Sequence, residues 1–162
     1  MKRALLLVAA ALAVWLGGRE LWLSLRSDDE RIRAALAEEV AAFDAAAAFS
    51  VFRHFAEDYR DVSGNFDRGM LRGALLYAFQ NRRTQDGAFR HRTEIDWDRF
   101  AIAMTDPGAA AETTFPLVLY DQEGSGEVVV WAIEVVAKWA RRSGEWWITG
   151  STHRTTAGKR PW

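Results

Sequence analysis

Phe89-Arg90-His91-Arg92-Thr93-Glu94-Ile95-Asp96-Trp97-Asp98 is the stretch where the sequence changes texture, and its reading decides the fold. Phe89, His91, Thr93, Ile95 and Trp97 alternate with Arg90, Arg92, Glu94, Asp96 and Asp98. A period of two marks a β-strand with one wet face. Beyond Asp98 the apolar phase moves to Phe100, Ile102 and Met104, so the spacing predicts a β-bulge near Asp98.

Strand signals continue toward the C-terminus. Thr105-Asp106-Pro107-Gly108 is a turn. Residues 111–120 read as a strand with Phe115, Leu117 and Leu119 on one face, and Pro116 points to an edge or irregular position. After a turn over 121–126, Val129, Trp131, Ile133, Val135, Ala137 and Trp139 share a face opposite Glu134 and Lys138. Arg142-Ser143-Gly144-Glu145 turns into a last strand over 146–153, and residues 155–162 read as a flexible tail.

Toward the N-terminus the period is helical. Ser27-Asp28-Asp29-Glu30 is a helix start: a capping side chain, then acids at the positive end of the dipole. Ile32, Leu36, Val40, Phe43 and Ala47 form one apolar stripe, with Arg31, Arg33, Glu38 and Glu39 read as solvated. The alanine-rich stretch 45–59 has high helix propensity and predicts helix, either continuous with the first or set at an angle to it. Ser63-Gly64-Asn65 is a turn, and Phe66-Asp67-Arg68 opens a helix to about Asn81, with Met70, Leu71, Ala74, Leu75, Ala78 and Phe79 on its apolar face.

Helices first and antiparallel strands afterward predict an α+β fold, with N-terminal helices packed on a curved antiparallel sheet of four or more strands. The 162 residues, 49% hydrophobic and 27% charged, fit one globular domain plus a targeting segment. Beyond Arg26 the chain carries 17 basic against 21 acidic side chains and no basic stripe, which argues against a nucleic-acid partner. There is no cysteine, so disulfides, thiolate metal sites and a cysteine nucleophile are excluded.

Lys2 and Arg3 precede an uninterrupted apolar run from Ala4 to Gly18, and Leu21-Trp22-Leu23-Ser24-Leu25 follows Arg19 and Glu20. Residues 1–26 are therefore expected to be an uncleaved membrane anchor, with 4–25 in the bilayer, or a cleaved signal peptide. Lys2 and Arg3 on the inner side would place the domain outside the cytoplasm, on the inner membrane, or secreted to the periplasm if the segment is cut. The expected organisation is anchor or signal 1–26, domain 27–154 and tail 155–162.

The acid-started helix 29–43, the segment Val51-Phe52-Arg53-His54-Phe55-Ala56-Glu57-Asp58-Tyr59, the Ser63-Gly64-Asn65 turn and the closing Gly144-Glu145-Trp146-Trp147-Ile148 together resemble the nuclear transport factor 2-like superfamily and its SnoaL-like small domains. The resemblance spans residues 28–153 and implies a cystatin-like cone of sheet and helices around an apolar pocket. Relatives of this kind include isomerases, dehydratases, binding domains and assembly modules, so fold does not select function. Many carry Gly-Asp at the start of a second helix, where this chain has Ala46 and Ala47. The first strand pair also looks contracted to little more than 59–62.

The candidate catalytic residues are His54 with Asp58, four apart on the expected helix, and His91 and His153, each in phase with an apolar strand face. Asp96 and Asp98 read as a solvated strand face, and Glu134 as one half of a cross-strand pair with an arginine. Phe55, Tyr59, Trp97, Trp131 and Trp147 are the candidate pocket residues, because concave sites are rich in aromatics. No metal motif, nucleotide loop or nucleophile elbow is present, and no cofactor is expected. The favoured expectation is a membrane-anchored, non-catalytic binding or interaction module that dimerises or scaffolds through its open sheet face. The alternatives are a cofactor-independent isomerase, dehydratase or hydrolase acting on a small apolar substrate, and a carrier of small lipids.

Overall fold

The structure, a computed structural model, describes residues 26–122 and 126–161. The expected anchor at 4–25 lies outside the described residues; among the described residues no helix is long and apolar enough to cross a membrane.

Helix α1, Asp28–Asp44, starts as its sequence dictates. Ser27 Oγ accepts from the Glu30 amide, and the Ser27 amide donates to Glu30 Oε2 at 2.8 Å, a reciprocal capping box. The helix buries Ile32, Ala35, Leu36 and Glu39. It ends in a Schellman motif: the Ala46 amide donates to the Phe43 carbonyl and the Ala47 amide to the Ala42 carbonyl, with Ala46 in the left-handed region at φ 50°.

The expected helix over 45–59 does not form. Turns carry the chain to β1, Phe55–Asp61, so helix propensity yields to burial. The reversal at Ala46 lets Val51 and Phe52 join Leu75, Phe79 and Phe89 in a second core cluster. Burying two such side chains contributes about 4 kcal/mol, more than the propensity differences among the residues involved.

Strand β1 pairs antiparallel with the short β2, Phe66–Asp67, and parallel with β7, Glu145–Gly158. Helix α2, Arg68–Asn81, begins directly after β2, with Asp67 accepting from the Met70 amide at 2.8 Å. The remaining strands are β3 (His91–Ile95), β4 (Ala101–Asp106), β5 (Ala110–Asp121) and β6 (Val128–Arg142). The sheet has seven strands in the order β2-β1-β7-β6-β5-β3, with β4 also on β5.

The bulge expected near Asp98 is a full break. β3 pairs with residues 117–121 of β5 and β4 with 110–114, and Asp96 Oδ1 accepts from the amides of Asp98 and Arg99 in the turn between them. The tail expected at 155–162 is largely strand: Thr155, Ala157 and Gly158 pair with Ile133, Ala132 and Trp131. Beyond it the Pro161 carbonyl accepts from Arg82 at 2.8 Å.

Register shifts between Leu119 and Tyr120, Ala132 and Ile133, and Lys138 and Trp139 accompany the curvature of the long central strands. The main core gathers Ile32, Leu36, Tyr59, Phe100, Phe115, Trp139, Trp146 and Ile148 between α1 and the inner sheet face. Trp139 Nε1 donates to the buried Thr113 hydroxyl at 3.0 Å, so its one polar atom is satisfied.

Candidate functional site

Between α1, α2 and the inner sheet face lies a cavity of about 260 Å³. Its body is apolar, lined by Leu36, Val40, Phe43, Leu117, Leu119 and Ile133 among others. Polar groups gather where β1 and β7 run side by side, since the pair Asp61–Ser151 in register brings Tyr59, Asp61, Ser151 and His153 to one wall.

Asp61 is 6% exposed. It accepts from the Gly64 amide at 2.9 Å and the Ser63 amide at 3.3 Å, and the Ser151 hydroxyl stands 3.4 Å away. The tight turn requires Gly64: a Cβ there would meet the Phe66 ring at 2.5 Å and Asp61 Oδ2 at 2.6 Å. His153 lies beside it, with Nδ1 at 3.5 Å from Asp61 Oδ1 and its backbone amide donating to Ser63 Oγ at 2.7 Å.

Arg160 completes the group. Its Nη2 lies 3.1 Å from His153 Nε2, and its guanidinium sits over the rings of Phe66 and Trp131. A guanidinium has only donors, so Nε2 accepts. The imidazole proton is then on Nδ1, facing Asp61. In that tautomer the Nε2 lone pair is engaged by the Arg160 cation and the Asp61 carboxylate stands behind the ring. Tyr59 Oη lies 2.7 Å from Ser151 Oγ, and burial pushes the phenol up to about 12, so it acts as a neutral hydrogen-bonding group.

Glu39 marks another wall. It is 6% exposed and lines the cavity. Oε1 accepts from the His54 amide at 2.6 Å, while Oε2 meets no hydrogen-bond partner among the described residues. Burial pushes this carboxyl up to about 7 against the opposing His54 hydrogen bond.

The sequence-derived candidates are scattered. His54 lies outside the cavity, with Nε2 3.0 Å from Glu38 Oε2. Asp58 is exposed and bound through both oxygens to Arg142 at 2.9 and 2.8 Å, which holds its carboxyl below the usual range. The two do not form a helical pair because the segment is a strand. His91 is buried against Phe89 outside the cavity lining, and burial pushes its imidazole down toward the neutral form. His153 alone of the histidines lines the cavity.

Among the aromatics, Phe55, Tyr59 and Trp131 line the cavity. Trp97 stands in the β3–β4 turn, 39% exposed, and Trp147 is absent from the lining. A bulge at Thr149 separates Trp147 from Ser151 and His153: Ile148 pairs with Trp139 and Gly150 with Lys138, which shifts the inward phase from even to odd residues. Glu134 pairs across strands with Arg154 at 2.7 Å. Asp61, Ser151, Arg160 and Glu39 were not singled out by sequence. The signal for Asp61 was its place just before the Ser63-Gly64-Asn65 turn. No His/Cys/Asp/Glu group able to hold a metal occurs among the described residues.

No family model matches the sequence, and no curated protein matches it either. Solved structures do match in shape. An NTF2-like protein with a cystatin-like fold from Novosphingobium aromaticivorans is 16% identical, with a TM-score of 0.62 over 89% of this chain and 90% of that one. Aln2 from a Streptomyces species is 14% identical, with a TM-score of 0.66 over 81% and 93%. ActVI-ORFA from Streptomyces coelicolor is 12% identical, with a TM-score of 0.64 over 80% and 98%. The chain has the nuclear transport factor 2-like, cystatin-like fold. Identities this low carry shape alone. Within this cystatin-like cone, the polar wall around His153 and the buried Glu39 are properties of this chain's own residues.

Proposed function

We propose that the domain binds a small, largely apolar molecule with a polar end and moves a proton at that end, through His153, without a cofactor. The observation that carries this reading is His153 held between Asp61 and Arg160 on the wall of an apolar cavity. In the reaction, the Arg160 guanidinium leaves Nε2 for a ligand carbonyl oxygen. The freed Nε2 takes a proton from the adjacent carbon, and Asp61 stabilises the imidazolium. Isomerisation of an enone or dehydration of a β-hydroxy ketone is the class of chemistry such a pair performs.

The test is solvent deuterium incorporation into a panel of cyclic enones and β-hydroxy ketones, with the full chain in phospholipid nanodiscs. His153→Ala is expected to slow wash-in by about 100-fold or more. Wild-type wash-in no faster than that of His153→Ala across the panel would overturn the proton-transfer step. The Arg160–His153 contact also favours a second reading, a non-catalytic ligand-binding module, because a guanidinium that stays on Nε2 leaves no free base. Binding of panel compounds without wash-in selects that reading.

We also propose that residues 4–25 anchor the domain on the outer side of the cytoplasmic membrane. The support is the uninterrupted apolar run from Ala4 to Gly18 behind Lys2 and Arg3. The chain should stay with membranes through an alkaline carbonate wash, and protease added outside spheroplasts should digest the domain. Release by the wash, or protection from the protease, counts against the anchor.

A further inference from the structure

Arg160 is fixed by the backbone on either side of it. Gly158, at φ 68°, turns the chain off β7, and a Cβ there would collide with the Val130 carbonyl. The Lys159 amide donates to that same carbonyl at 3.1 Å, and the Pro161 carbonyl accepts from Arg82. The exposed run 154–159 therefore ends in a half-buried Arg160. Its guanidinium carbon lies 5.2 Å from the Phe66 ring centroid and 5.4 Å from that of Trp131, and Nη2 is 3.1 Å from His153 Nε2. All three of these neighbours line the cavity. Among the described residues Arg160 is the only lysine or arginine in that lining, and no carboxylate pairs with it. Asp61 stands at the other ring nitrogen of His153 and accepts from the Ser63 and Gly64 amides, so the imidazole separates it from the guanidinium. Glu39, the other acid of the lining, is bound at the His54 amide.

A cation thus borders an apolar cavity with a neutral nitrogen as its acceptor. Moving a proton at His153 requires the guanidinium to leave that nitrogen. A ketone oxygen would exchange one neutral acceptor for another, and a ligand shifts such an equilibrium only by the difference it makes between the two arrangements. A carboxylate supplies the difference. Hydrogen bonds to an ionised partner are roughly twice as strong as neutral ones, and the guanidinium fork matches two carboxylate oxygens. We propose that the cavity's ligand is an apolar carboxylic acid whose carboxylate pairs with Arg160 and draws the guanidinium off His153. The inference rests on the cavity being the ligand site, and it narrows the ligand class to anions. A 2-oxo acid is the form that joins it to proton transfer. Its carboxylate and carbonyl oxygens lie on one edge, within reach of one guanidinium, and the carbon beside the carbonyl carries the proton that the freed Nε2 would take.

The probes are 2-naphthoate, 2-naphthamide and 2-naphthylmethylammonium, which give one apolar body an anionic, a neutral and a cationic end. Each is titrated at neutral pH by ligand-observed NMR against the full chain in phosphatidylcholine nanodiscs, with empty nanodiscs subtracting lipid partition. Wild type is expected to bind the naphthoate roughly five- to fifteenfold tighter than the amide, the gap between a charge-assisted and a neutral hydrogen bond, and the ammonium most weakly. Arg160→Gln should remove the preference for naphthoate while still binding the amide. Arg160→Lys, a point charge without the fork, should keep part of it. Thermal melts of both variants check the fold, and an Arg160→Gln chain that fails to fold leaves Arg160→Lys and the wild-type order to decide. An amide that binds wild type as tightly as the naphthoate, an ammonium that binds tightest, or a preference unchanged in Arg160→Gln overturns the carboxylate site and leaves the cavity reading intact. Failure of all three compounds to bind the wild-type chain overturns both.

Discussion

Glu39 illustrates how a residue's type can hide its position. It lies seven residues after Ile32, four after Ala35 and three after Leu36, so the helical period puts it on the buried face. Its charge, and its place next to the exposed Glu38, point to solvent instead. Because burial raises its folded-state pKa from 4.5 to about 7, the folded chain holds this proton over a pH range in which the unfolded chain has lost it. Stability from this group is thus fully present below about 4.5, falls as pH rises through that window, and is flat above about 7. The full fall amounts to roughly 3 kcal/mol at most. Urea unfolding of wild type and Glu39→Gln between pH 4.5 and 8 should show the variant gaining stability relative to wild type as pH rises, up to that limit. A difference that does not change with pH would mean that Glu39 titrates in the fold as it does in water. The histidines make the complementary point. All three lay in plausible phase, and only His153 reached the cavity, because its inward direction depends on a one-residue bulge at Thr149 that no local pattern announces.

At the scale of elements, the sequence was most legible where one physical signal acted alone. The capping box at Ser27 and the helix after Asp67 are local chemistry, and both starts were readable. The alternation in β5 and β6 was equally plain, because each strand buries one face. Legibility failed where local preference and tertiary packing disagreed. The alanines at 45–48 favour helix, but Val51 and Phe52 are buried only if the chain turns first. Ala46 accepts a left-handed backbone that glycine would hold with less strain, at a cost of about 1 kcal/mol. The end of β7 failed for another reason. Thr155, Thr156 and Ala157 are exposed and carry no apolar alternation, so only their pairing to β6 makes them strand. That pairing places Arg160 at His153, and a reading that stopped the domain at 154 could not include it.

At the scale of the whole molecule, the sheet's inner face is covered by α1 and α2, and its outer face has no layer of its own among the described residues. There the register puts Pro116 opposite Glu134, Val118 opposite Ala132 and Thr114 opposite Val136. The result is a half-buried apolar strip with the Glu134–Arg154 pair at its side. We propose a second copy as the occupant of this strip: two-fold symmetry would set each strip on its own image and each Glu134–Arg154 pair against the other chain's rim. Residues 27–162 should therefore sediment as a dimer at micromolar concentration. Val136→Asp places a charge on the strip, where a dimer contact would desolvate it, and should shift the population to monomer without lowering the melting temperature of the monomer fold. The cavity lies on the opposite side of the sheet, so a monomeric Val136→Asp chain should keep its affinity for cavity ligands. A wild-type domain that sediments as a monomer would rule out this interface and leave the outer face as an ordinary solvated surface.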